Sequence, residues 1–145
     1  LMRTRSPFEA ALSLSAALVE AISRSDRILE LLIAGPEIHR FVSAGRVGYL
    51  EEVLDILAGI EPATADPLEQ LGPLLIEEIR SIESVCLVLT RWHDGWDRLV
   101  QELEAWNVGV KILLVTPTGR RIPGLPAKVQ CLGARAILNG EVTAV

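Results

Sequence analysis

The sequence predicts an α/β domain: a mainly parallel sheet with helices on both faces and one antiparallel hairpin at its edge. Three observations predict it. Short apolar runs at 28–34, 85–90 and 110–115 are rich in Ile, Leu and Val and carry almost no charge, the pattern of strands buried on both faces. Amphipathic helical stretches alternate with those runs, and parallel strands joined this way need crossover connections. The length, 145 residues, is that of one domain.

Ser6-Pro7-Phe8-Glu9 opens the first helix, with serine as cap, proline at the first helical position and Glu9 completing a capping box. Phe8, Leu12, Val19 and Ile22 then share a stripe, slimmed by Ala11, Ser15 and Ala16, and Ser25-Asp26 ends the helix. Ile28 to Ala34 reads as a buried strand. Gly35-Pro36 turns the chain, and Ile38 to Ser43 alternates as a half-exposed edge strand beside it.

Val47, Leu50, Val53, Leu54, Leu57 and Ala58 form the next stripe, with Glu51, Glu52 and Asp55 outward. After the loop from Ile60 to Ala65, Asp66-Pro67-Leu68-Glu69 is a second capping box, and Leu68, Leu71, Leu75 and Ile79 continue its helix. Gly72-Pro73 predicts a kink or two short pieces there, since an interior proline costs about 3 kcal/mol.

Val85 to Thr90 is the most hydrophobic run and is expected at the centre of the sheet, with Cys86 as a buried, inert thiol. Asp94-Gly95-Trp96-Asp97 is expected to cap a helix burying Trp96, Leu99, Val100 and Leu103, with Asn107 and Gly109 stopping it. Val110 to Val115 is another buried strand, closed by Thr116-Pro117-Thr118-Gly119. A basic, proline-rich loop follows from Arg120 to Pro126, and Val129 to Leu132 reads as a last strand. Asn139-Gly140 between two short apolar runs predicts a terminal hairpin.

Composition excludes several functions. The net charge of −5 is spread over helix faces, which argues against general nucleic-acid affinity. Two isolated cysteines, Cys86 and Cys131, do not make a disulfide scaffold and fit a reducing, cytoplasmic setting. No run reaches the roughly 18 apolar residues of a membrane span, so no membrane contact by this domain is expected. Arg3 and Arg5 lead into a capped helix without a cleavage-type end, so no signal peptide is read. The opening on Leu1 predicts a segment of a longer protein, one that a membrane anchor elsewhere in the parent would not contradict.

No complete catalytic site is legible. His39 shares the alternating edge strand with Phe41 and reads as a surface residue. His93 stands with Arg91, Trp92, Asp94 and Trp96 at the exit of a parallel strand, where open α/β sheets gather ligands. The bland reading is that the tryptophans cover the sheet edge while Asp94 caps. No serine or cysteine is placed as a nucleophile beside His93, and neither Gly45-Arg46-Val47-Gly48 nor 119–124 is a phosphate loop. Arg120-Arg121 are read as solvated charges.

Phe8-Glu9-Ala10-Ala11-Leu12-Ser13-Leu14-Ser15-Ala16-Ala17-Leu18, Val53-Leu54-Asp55-Ile56-Leu57-Ala58, and the strands Ser84 to Thr90 and Val110 to Val115 carry a likeness. In their order they resemble the von Willebrand factor A domain after its first strand. The closer likeness is to uncharacterised bacterial proteins with such a domain, often encoded beside MoxR-type AAA ATPases. It runs from about Ser6 to Thr116 and implies a Rossmann-like three-layer architecture. It also implies a divalent-metal site built from an Asp-x-Ser-x-Ser motif after the first strand, a threonine between helices and an aspartate after the fourth strand. Here the first strand and its motif are absent, Thr64 alone matches the threonine, and Thr90-Arg91-Trp92-His93 stands where the aspartate belongs, with Asp94 arriving late. A hard cation wants several oxygens in fixed geometry. No cofactor is therefore expected, and magnesium enters only if a metal motif precedes Leu1 in a longer chain.

The missing strand lies in mid-sheet in the resembling domains. Its loss leaves the strands at 28–34 and 85–90 either to pair directly or to be joined by a strand from a second copy or from the C-terminal hairpin. The expected function is a protein–protein interaction or assembly module with an incomplete metal-ion-dependent adhesion site. Its partner would be a MoxR-type AAA ATPase or a second copy, and its contact face Thr64, Asp66, Arg91, Trp92, His93 and Asp94. The competing expectation is a small-molecule-binding or enzymatic Rossmann-like domain using the same sheet edge.

Overall fold

The structure is a computed structural model that describes residues 6–23, 29–34, 38–43, 49–61 and 65–140. Its elements in chain order are α1 (Ser6–Ser23), β1 (Leu29–Ala34), β2 (Ile38–Ser43), α2 (Tyr49–Gly59), α3 (Pro67–Glu77), β3 (Ser84–Leu89), α4 (Asp94–Ala105), β4 (Gly109–Thr116), β5 (Val129–Gly133) and α5 (Ala134–Leu138). The helix end expected at Ser25-Asp26, the turn at Gly35-Pro36, the segment Gly45-Arg46-Val47-Gly48, Thr64, and the second arm of the terminal hairpin lie outside the described residues.

β3, β4 and β5 form a parallel sheet in that order, with Leu87 opposite Ile112 and Leu114 opposite Cys131. Side chains alternate across a strand, and β4 uses the alternation fully. Ile112 and Leu114 enter one core with Leu75, Leu87, Leu89, Trp96, Leu99, Val100, Leu103 and Val129. Leu113 and Val115 enter another with Ala10, Ala11 and Leu14 of α1, Leu132 and Ala134. Helices thus cover both faces of the sheet, α3 and α4 on one, α1 and α5 on the other.

α1 is buried through Ala10, Ala11, Leu14 and Val19; of the expected stripe Val19 is buried, while Phe8 and Leu12 are only half-buried. The small residues win because α1 packs against β4 and α5 on one side, while Leu12 and Ala16 meet Val53 and Leu57 of α2 on another. α4 buries Trp96, Leu99, Val100 and Leu103, as its spacing predicts. It ends on Asn107 at φ 63°, with the Asn107 amide donating to Glu104 O (2.9 Å) and the Val108 amide to Leu103 O (3.0 Å). This paired arrangement satisfies carbonyls that the last helical turn would leave open.

Several expectations are corrected. β1 does not join β3 and β4. It pairs antiparallel with β2 in a separate two-stranded sheet, Leu31 opposite Phe41, so the stretches around Leu31, Leu87 and Leu113 do not share one sheet and the hairpin is not its edge. β3 is an end strand of the three, not the central one, and Cys86 is exposed. Pro73 does not divide α3: Gly72 before it has no Cβ for the proline ring to crowd, and the helix continues to Glu77. Ala136-Ile137-Leu138 is helical, not a strand. The Asn139 amide donates to Arg135 O (2.9 Å) and Gly140 takes φ 72°, so Asn-Gly closes a helix.

The connection from β4 to β5, residues 117–128, holds no helix although the strands are parallel. It is fastened by Arg121, not solvated as expected. Its guanidinium donates to the carbonyls of Val129 (2.7 Å), Leu125 (3.1 Å) and Pro126. Among the described residues, no helix is long and apolar enough to cross a membrane.

Candidate functional site

Each of the two helices over the first face begins with a side chain that closes its own N-terminus, and those two side chains meet. Asp66 precedes α3 with extended backbone (φ −63°, ψ 117°), and its Oδ1 accepts the Leu68 amide at 3.1 Å. His93 precedes α4 (φ −148°, ψ 169°), and its Nδ1 accepts the Gly95 amide at 3.1 Å. His93 Nε2 lies 2.8 Å from Asp66 Oδ2. The neutral imidazole that satisfies both contacts carries its proton on Nε2, donating to the carboxylate while Nδ1 accepts.

Asp94 is therefore not the cap. It is the first residue of α4, where its charge, with that of Asp97, still favours the positive end of the helix. The backbone explains the substitution: His93 occupies the non-helical cap position, and its carbonyl accepts the Trp96 amide at 3.1 Å. The site also depends on Gly95. A Cβ there would lie 2.6 Å from Leu68 Cδ2 and 2.7 Å from His93 Cε1, so the imidazole and the α3 leucine close over a bare Cα.

Trp96 lies beneath, 2% exposed, its ring centroid 6.2 Å from that of His93 at 44°. Trp92 is half-buried against the same core, so it covers the end of the sheet and presents only part of its ring. Arg91 and Asp94 are exposed. Of the expected contact residues, the structure brings Asp66 and His93 into direct contact and strings Arg91, Trp92 and Asp94 along the same turn.

The arrangement holds surface polar groups in place. With side chains 44% and 36% exposed, the His93–Asp66 pair is wet, and such contacts contribute about 0–1 kcal/mol. Both imidazole nitrogens are engaged by a carboxylate and a backbone amide, not by a hydroxyl or thiol, so His93 is not set against a nucleophile. Among the described residues no three His, Cys, Asp or Glu side chains gather, and both oxygens of Asp66 already accept hydrogen bonds.

Sequence reasoning found the Asp66 cap and missed the His93 cap with its bond across to α3. The one local signal was glycine at the second helical position, which leaves an amide open to a ring. Nothing in the spacing from 66 to 93 announces the contact. Comparison of the chain with protein families, curated proteins and solved structures finds no match.

Proposed function

We propose that this chain is a protein–protein interaction module of the von Willebrand A type, engaging its partner through the turn after β3. The contact face is Asp66, Arg91, Trp92, His93 and Asp94. The observation that carries the reading is that His93 and Asp66 use their hydrogen-bonding capacity on two helix caps and on each other. What remains is the exposed pair Arg91 and Asp94 beside a half-buried Trp92. Tryptophan and arginine are enriched at interfaces, and a general acid or base needs a free edge.

The type of module rests on the order of elements alone: α1 before β1, and α4 between β3 and β4, follow the pattern of the resembling domains. The separation of β1–β2 from β3–β4–β5 departs from the single sheet that the resemblance implies. The partner that the resemblance implies is a MoxR-type AAA ATPase, and engagement would not require metal.

The test uses Arg91→Glu, an exposed change outside both caps. Binding to a purified MoxR-type AAA ATPase, followed by interferometry, should weaken about tenfold, as reversed charge at an interface does, with an unchanged melting temperature. An unaltered dissociation constant, or no binding by the unmodified chain, dismisses the face and this partner respectively.

A further inference from the structure

The contacts of His93 make it do two things that only one protonation state allows together. As neutral imidazole it donates from Nε2 to Asp66 and accepts at Nδ1 from Gly95. A second proton goes to Nδ1, which turns the acceptor into a donor facing another N–H. The same proton places a cation at the N-terminal end of α4, where the helix dipole opposes it. The contact with Asp66 moves the other way, becoming an ion pair with a charge-assisted hydrogen bond. Charged groups on the adjoining elements are Asp66 and Glu69 at the start of α3, Asp94 and Asp97 in the first turn of α4, and Arg91 in the turn between.

Packing makes the conflict local. The ring rests on the Cα of Gly95, with Cε1 and Nδ1 2.7 and 2.9 Å from where a Cβ would stand. A proton on Nδ1 has no room to share that edge with the amide, so the ring must leave Gly95. Asp66 can keep its hold on Nε2 as this happens, and its other oxygen continues to cap α3.

We infer that His93 is a proton-operated latch between two helices. Neutral, it caps α4 and ties that helix to α3; protonated, it releases the Gly95 amide, stays on Asp66 and unpins the turn from Trp92 to Asp94. The inference concerns the chain alone and stands whether or not the proposed partner binds.

The experiment is NMR on the full chain across an acid titration, reading the His93 ring nitrogens and the exchange of two amides. At the alkaline end the ring should show the tautomer protonated at Nε2. As His93 takes its second proton, protection of the Gly95 amide should fall about fivefold or more, the scale of a lost cap, after correction for the intrinsic dependence of exchange on pH. The Leu68 amide should keep its protection. His93→Asn supplies a cap that does not titrate, and its Gly95 protection should be independent of pH. Constant Gly95 protection through the His93 titration, the opposite tautomer, or joint loss of the Gly95 and Leu68 amides would each overturn the latch.

Discussion

β3 and β4 lie side by side and parallel, paired from Ser84 opposite Gly109 to Leu89 opposite Leu114, and both are rich in Val and Leu. Their environments differ. β4 is buried at every position from Ile112 to Thr116, between two cores, and pairs with a strand on each side. β3 buries Leu87 and Leu89 but leaves Ser84 and Cys86 exposed and Val85 and Val88 half-buried, and among the described residues it pairs with β4 alone. Hydrophobicity records what each face of a strand meets and is silent about its edges.

The widest separation between the strands should come from truncating their inward side chains. Leu113→Ala in β4, where Leu113 is 0% exposed, should cost about 3–4 kcal/mol in urea unfolding, against about 1 kcal/mol for Val88→Ala in β3. Equal losses would mean that β3 is covered as fully as β4.

The exits of the strands differ next. After β4 the chain turns through Thr116, whose Oγ1 accepts the Gly119 amide at 2.8 Å, and Gly119 sits at φ 77° with a hypothetical Cβ 2.6 Å from Gly133 N. Backbone cannot step aside, so Gly119→Ala should cost about 2 kcal/mol or more. At the exit of β3, Gly95→Ala meets the side chains of Leu68 and His93, which can move, and should cost about 1 kcal/mol as the cap is displaced. Melting temperatures of the two variants test the order; the reverse order breaks it.

Smaller again is the exchange between the caps. Asp66→Ala should lose about 1 kcal/mol, and a double-mutant cycle with His93→Ala should return a coupling of about 0.5 kcal/mol, as for an exposed pair. A coupling of zero would reduce the His93–Asp66 contact to proximity.

The smallest effect belongs to Cys86. The residue as a whole is exposed, yet burial around its thiol raises the pKa above the ordinary value, with Lys111, its register partner on β4, pulling the other way. The folded thiol therefore keeps its proton after the unfolded chain has shed it. Its contribution is present at neutral pH and lost as pH rises through the thiol range. The urea midpoint should drop between about pH 8 and 10 more for the native chain than for Cys86→Ser. Matching profiles would place Cys86 in water like any surface thiol.

Periodicity reached α4 to the residue, because one helix face against one sheet face is a local pattern; Trp96, Leu99, Val100 and Leu103 are all buried. The cap at Asp66 was equally legible, since the side chain and the amide it accepts are neighbours in sequence. The sheet membership of β1 was not, because which strand it pairs with depends on chain far away, and its apolar run suits either sheet. Nor was the His93–Asp66 contact: it arises only after α3 and α4 have docked through Leu68 and the bare Cα of Gly95. In α5 the Asn-Gly pair served either motif, and the carbonyls of the preceding turn decided.

The connection between β4 and β5 carries two adjacent arginines, the dipeptide at which trypsin cuts open loops. Arg120 is exposed, while the guanidinium of Arg121 is spread across three backbone carbonyls and cannot enter a protease specificity pocket without letting go of them. Nicking therefore falls after Arg120, and the clamp that replaces a crossover helix also keeps the second bond from being cut while the domain is folded.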